Sequence, residues 1–405
     1  MKDLRKGKVS LGFVLCFFLS LPLLLSSSGF CQEDYVLVLK WGDPGPGPGQ
    51  FGLIHGIAID SENNIYVADQ THNRIQKFDS NGNFIDKWGG YGHTNGKFDW
   101  TIGVAVDSAD NVYVTDWWTE RVQKFDSNGN FIKKWLDGMD GPTAITVDPE
   151  DIVYVADQMQ NMIYVFDSNG NSIDNWGAGG SSGQWTWPWG ITADSDSNIY
   201  VSIQGDSKVN KFDSAGNFLT TWGSFGTGEG QFKKPMGMAS NICGYIYVVD
   251  RDNHRIQVFD SNGNFLTKWG SRGSGDGQFK YPEDIAIDSS GCIYVADRGN
   301  QRIQKFVPNI FRILAIFDGY VENGKLIGHG PGNSAKGRLK ALRNMLKSAC
   351  ELIENGFIFE ACQQLLDAYN RCDGQSKPPD FVEGEAAPQL AGMIQAYRAY
   401  LGCNQ

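Results

Sequence analysis

Apolar and polar residues alternate in short runs over most of this chain, and turn-forming residues separate the runs. The first complete set is GIAID (Gly56–Asp60), NIYVAD (Asn64–Asp69), RIQKFD (Arg74–Asp79) and NFIDKWG (Asn83–Gly89). Alternation at period two, broken by Gly, Asn, Asp and Ser, reads as four antiparallel strands. The DSNGN segment between the third and fourth runs supplies Asn and Gly for positive φ and reads as a hairpin turn. The set then repeats. Its aromatic-Val step falls at Tyr66, Tyr113, Tyr154, Tyr200, Tyr247 and Tyr294, and its closing Phe at Phe78, Phe125, Phe166, Phe212, Phe259 and Phe306. Both series step by 47, 41, 46, 47 and 47 residues. A period of this size marks one supersecondary unit stacked on its copies, and four antiparallel strands per copy make a propeller blade.

A mismatch between the two ends of the repeat array predicts how the ring closes. Trp41, Trp88, Trp135, Trp176, Trp222 and Trp269 mark the end of the fourth run, but the sixth copy stops at KFVPN (Lys305–Asn309) without one. An orphan fourth run, YVLVLKWG (Tyr35–Gly42), precedes the first copy instead. The expectation is an all-β six-bladed propeller whose last blade takes the N-terminal strand, which removes the open sheet edges. GIAID, NIYVAD, NHRIQ (Asn253–Gln257) and FDSNGNF resemble the consensus of the NHL-repeat family over about residues 35–307. That resemblance implies the propeller and little of its chemistry, because this architecture hosts unrelated functions.

The flanks read differently. Lys2, Arg5, Lys6 and Lys8 precede an apolar run from Val9 to Leu25 and small residues at Ser26–Gly29. Residues 1–31 therefore read as an export signal cleaved near Cys31–Gln32. The mature chain is then secreted or held in the cell envelope, with no integral membrane segment. The propeller spans 32–307, residues 308–333 read as an apolar, Gly-rich linker, and 334–405 as a small domain of three helices. Cys362 and Cys372 share a helix about 15 Å apart and cannot pair. If the first two helices form a tight hairpin, the disulfides are Cys350–Cys362 and Cys372–Cys403. Cys243 and Cys292, in equivalent turns of blades five and six, either bridge or stay reduced.

Charge narrows the partners. Loss of residues 1–31 removes four basic residues and Asp3, taking the formal charge from −11 to −14. Phosphate contacts need an excess of Lys and Arg, so nucleic acid is not an expected partner. Asp69, Asp116, Asp250 and Asp297 each precede an Arg by five residues, a schedule expected to tie second strand to third. The DSNGN turns lack the distal acidic ligand of a calcium loop.

The residues that break the repeat carry the functional expectation. Trp100, Trp117, Trp118, Trp187 and Trp189 fall in loops of blades two to four that share one face. Such indoles cover a ligand, a glycan or a protein or peptide, or else pack on one another or beneath the helical domain. A non-enzymatic binding or scaffold protein is the leading reading. The alternative lies at the channel rim, where the residue before each first strand is His55, Ile102, Thr143, Trp189, Met236 or Glu283. His55, Glu283, Asp284, Arg251 and Arg298 would there hold calcium or zinc or run acid–base chemistry. Lactonase-like and amidating-lyase-like propellers use this location, but the other rim positions lack their ligands.

Overall fold

The computed structural model describes residues 35–177, 185–241, 244–289, 291–322, 324–328, 333–354, 358–372, 382–383, 386–400 and 403. The export signal read over 1–31, and the pairing of Cys243, lie outside them. The described strands form six four-stranded antiparallel sheets. Blade one comprises Ile54–Ile59, Ile65–Asp69, Arg74–Phe78 and Phe84–Gly89, from the axis outward. The next four blades begin with Thr101–Val106, Pro142–Val147, Pro188–Ala193 and Pro235–Ser240. Blade six has Asp284–Ile287, Ile293–Asp297 and Arg302–Pro308, and Tyr35–Trp41 is its outer strand. That strand runs antiparallel to Arg302–Pro308, from Tyr35 opposite Pro308 to Trp41 opposite Ile303. The ring closes as the sequence implies.

The recurring residues form the seams between blades. Each strand-end Trp lies on the hairpin glycine of the next blade: Trp41 on Gly82, Trp88 on Gly129, Trp135 on Gly170, Trp176 on Gly216 and Trp222 on Gly263. A Cβ at these glycines would sit within 3 Å of an indole atom, and their φ angles of 71–85° are left-handed. Both facts demand glycine. Blade six has no such hairpin, because its outer strand comes from the other end of the chain. Tyr35 takes that place, its ring 4.3 Å from the Trp269 ring and its hydroxyl 3.0 Å from that of Tyr247. In the hairpins, the Asp79 carboxylate accepts from the amides of Asn81 and Asn83 and from Asn83 Nδ2, and Asp126, Asp167, Asp213 and Asp260 repeat the arrangement. Bonds from Asn130 hold Asp126 below the ordinary carboxylate range. These carboxylates serve the turn itself.

The Asp–Arg pairs do more than join strands. Asp250 Oδ2 receives Arg255 Nε at 2.7 Å, while the Arg255 guanidinium also donates to the carbonyls of Thr227, Gly228 and Gln231. Arg74, Arg121 and Arg302 hold the loops entering their own blades in the same way. Each pair therefore anchors the loop that enters its blade.

Two expectations for the C-terminal region are corrected. Among the described residues its helices are α1 (Ile310–Glu322), in the stretch read as a linker, and the three expected beyond it, α2 (Asn333–Glu354), α3 (Ile358–Tyr369) and α4 (Ala387–Tyr400). The stretch read as a linker is mostly α1, which buries Ile313, Ile316, Phe317 and Tyr320 at helical spacing. The disulfide joins Cys362 to Cys403, Cα atoms 5.4 Å apart, so neither Cys350–Cys362 nor Cys372–Cys403 forms. Cys350 is buried with Leu346 and Ala349 in the helical core, whereas Cys362 is only half-buried on α3. The two sulfurs sit in different surroundings. Among the described residues no helix is long and apolar enough to cross a membrane.

Candidate functional site

Antiparallel blades give the ring two unlike faces. Turns from first to second strand and from third to fourth share one face; turns from second to third strand, and the loops entering the next blade, share the other. The helical region packs on the former. Met393 of α4 lies against Gly291, Lys325 Nζ donates to Ser195 Oγ at 2.6 Å, and Cys292, Tyr294 and Val307 share one core with Ile313, Phe317 and Leu390. The loop face carrying the off-pattern Trp residues is not the one the helices use.

On that loop face three of the five indoles meet. Trp100 and Trp118 lie nearly parallel with ring centroids 5.6 Å apart, and Trp117 stands edge-on to both, at 5.2 and 4.5 Å. Trp118 is 58% exposed and Trp100 38%. Trp100 and Trp187 also adopt left-handed backbone, φ 76° and 57°, which is strained for a bulky residue and is held here by hydrogen bonds from their amides to Asn73 and Asn161 Oδ1. The Trp117 indole also lies beside Gly141 and Met159, and Met159 is itself exposed. Trp187 is exposed in blade four and outside the trio. Trp189 departs from the group altogether. Its ring reaches to within 6.1 Å of His55, which comes from the opposite side of the ring. It spans the channel mouth.

The channel below has a volume of about 290 Å³ and is lined by the first strands, among them Gly56, Gly103, Gly190, Gly237 and Asp284. Gly56 and Gly103 sit so close to the next strand that an added Cβ would lie 2.5 Å from a carbonyl oxygen. At the rim Glu283 is 2% exposed; its Oε1 lies 3.1 Å from His55 Nδ1 and its Oε2 3.1 Å from Arg251 Nε. Burial raises the Glu283 carboxyl's proton affinity, but His55, Arg251 and Arg298 together outweigh it and keep the group below its ordinary range. His55 Nε2 faces Gln70 Oε1 at 3.1 Å. Both oxygens of Glu283 thus already have a partner within the protein. Among the described residues no group of three or more His, Cys, Asp or Glu is placed to hold a metal ion.

Asp284 acts as a seam residue. Its carboxylate accepts from Ile57 N at 3.0 Å and Ile285 N at 2.9 Å, stitching blade six to blade one. Burial, with the Glu283 charge beside it, pushes its pKa up to about 7. The folded protein thus retains a proton that the unfolded chain has released at intermediate pH. Its contribution to stability is complete below the ordinary carboxylate range and is lost as pH rises to about 7, at no more than about 1.4 kcal/mol per pH unit. Asp284→Asn should remove that slope: urea midpoints measured from pH 4 to 8 should diverge in the variant's favour as pH rises. Parallel curves would refute the assignment.

The structure thus brings together Trp100, Trp117 and Trp118, and separately His55, Glu283, Arg251, Arg298 and Trp189. Two exposed aromatics escaped the sequence reading. Tyr91 and Phe225, 71% and 72% exposed, occupy equivalent positions in the loops entering blades two and five. Their signal was a shared aromatic in GGYG and GSFG, masked by Arg272 in the third such loop.

Comparison with known proteins adds to the geometry. The NHL-repeat family model matches residues 51–78 and 99–125, and a model described as a 6-bladed beta-propeller matches 235–307. Human NHL repeat-containing protein 3 is 35% identical over 48 residues, 12% of this chain and only 14% of the human protein. A structural genomics protein of unknown function from Bacteroides thetaiotaomicron superposes with a TM-score of 0.55 at 19% identity, over 67% of this chain and 75% of that one. A gluconolactonase from Xanthomonas campestris gives a TM-score of 0.49 at 14% identity, over 64% and 87%, a likeness that says nothing of chemistry. From the orphan strand at Tyr35 to the end of the sixth repeat, this chain is a six-bladed β-propeller that carries NHL repeats at 51–78 and 99–125.

Proposed function

We propose that this is an exported, non-enzymatic binding protein whose loop face over blades two to four receives a glycan or a peptide segment of a protein. The observation that supports it is the Trp100–Trp117–Trp118 group on the face opposite the helices. An apolar surface of this kind in water is costly unless a partner covers it. Flat indoles suit the apolar faces of sugar rings or proline-rich and apolar side chains. Export follows from the basic-then-apolar leader, and cleavage near Cys31–Gln32 would leave the closing strand from Tyr35 intact.

Titration of intrinsic fluorescence against a glycan and peptide panel, with and without chelator, tests the reading. A ligand of this face should lose affinity by about tenfold or more in Trp118→Ala or Trp100→Ala, the scale of an interfacial Trp anchor. Its binding should ignore the chelator. A ligand whose affinity is untouched by both substitutions, or abolished by chelation, would defeat the proposal.

A further inference from the structure

The turn after the second strand opens, in blades one to six, with Gln70, Trp117, Gln158, Gln204, Arg251 and Arg298. Side chains of this ring reach the channel rim: Gln70 to His55, Gln204 Nε2 to Met236 Sδ at 3.0 Å, and Arg251 to Glu283. The ring contains no carboxylate. Adjacent blades five and six each supply a guanidinium, and both converge on the single carboxylate of Glu283. Arg251 is well satisfied, bonded to Glu283 and, through Nη1, to Asp252 at 3.2 Å, with its Cζ 5.4 Å from the Tyr281 ring centre.

Arg298 is not. Its Nε lies 4.0 Å from Glu283 Oε2, beyond hydrogen-bonding distance, and that nitrogen is buried without an acceptor. Among the described residues its side chain donates to no protein group. Only 21% of it is exposed. A buried guanidinium Nε without an acceptor is expensive to maintain. Among the described residues the one carboxylate within reach of it is Glu283, already shared with His55 and Arg251.

We propose that the channel mouth binds a small oxyanion, a carboxylate or a phosphate, through the fork of Arg298 with Arg251 beside it. A guanidinium offers paired N–H groups that match two oxygens of such an anion, a match the ammonium of Lys does not reproduce. The site is independent of the Trp100 group.

Calorimetric titration of the purified protein at low ionic strength, with acetate, inorganic phosphate and chloride as probes, tests the proposal. Saturable heat is expected for acetate or phosphate and none for chloride; the stronger of the two identifies the oxyanion. Arg298→Gln should weaken binding by about tenfold or more, and Arg298→Lys by less, on the strength of charge-assisted hydrogen bonds. Arg272→Ala, which removes an exposed cation of the same face, and Trp118→Ala should leave binding unchanged. Absence of saturable heat, equal binding by Arg298→Gln, or equal weakening by Arg272→Ala would each overturn the site. A urea midpoint for each variant separates lost binding from lost fold, and Arg298→Lys decides if the Gln variant does not fold.

Discussion

Deleting the chain through Trp41 should abolish the cooperative unfolding of the propeller and leave a protein that self-associates. The seven residues from Tyr35 to Trp41 form the whole outer strand of blade six. Without them, Arg302–Pro308 becomes an edge with unpaired amides and carbonyls, the kind of template on which another chain adds a strand. Two blade seams open at the same time. Trp269 loses the Tyr35 ring, and Gly82 loses the Trp41 indole that covers it. A ring stabilised by contacts between neighbours has no second route around such a gap.

Point variants grade the effect. Tyr35 is 1% exposed, and Tyr35→Ala should cost about 3–5 kcal/mol, as large-to-small core changes of aromatic residues do. Tyr35→Phe removes the hydroxyl, with its contact to Tyr247, and should cost about 1 kcal/mol. Urea denaturation and size-exclusion chromatography supply the readouts. A synthetic peptide covering residues 33–42, added to the truncated chain, should restore the transition by taking the empty place in the sheet. A truncated monomer that unfolds like the complete chain would show that closure does not hold the ring together.

This closure was readable because it appears in sequence as a counting mismatch, one fourth run too few at one end and one too many at the other. The role of the strand-end Trp residues was not. Their spacing shows that they recur, but the partner of each is a glycine some forty residues away in the neighbouring blade, and no local pattern reports that. The linker and the disulfides were misread for two reasons. Ile313, Ile316, Phe317 and Tyr320 do carry helical spacing, yet they lie in an apolar run dense enough to hide it and lead into a Gly-rich stretch. The disulfide prediction assumed that α2 and α3 pair with Cys350 level with Cys362; which face each cysteine takes depends on how the helices rotate about their axes. At the candidate site, blade topology puts Trp100, Trp117, Trp118 and Trp187 in loops of one face, but whether an indole lies outward or over the axis depends on one backbone position. Trp187 and Trp189 differ by two residues and end in different places.

Asp250→Ala should destabilise the protein by about 3–5 kcal/mol, the cost of breaking a buried ion pair from one side. Asp250 is fully buried and receives Arg255 Nε, Gln257 Nε2, Asn253 Nδ2 and the Lys233 amide. Removing it leaves Arg255 charged and enclosed, and frees the loop entering blade five from one of its anchors. The partner change distinguishes charge from shape. Arg255→Met alone should also destabilise, because the carbonyl of Thr227 loses its donor and those of Gly228 and Gln231 each lose one of two. The double variant Asp250→Ala/Arg255→Met should be clearly less damaged than the sum of the two, since neither charge is then stranded. Blade four shows that a blade tolerates the absence of both groups: Ile203 and Lys208 stand at the equivalent positions, with Ile203 buried and Lys208 exposed. Chemical denaturation of the four proteins gives the coupling directly. Simple additivity would mean that the pair acts only as two separate loop anchors and that its burial as an ion pair carries no penalty of its own.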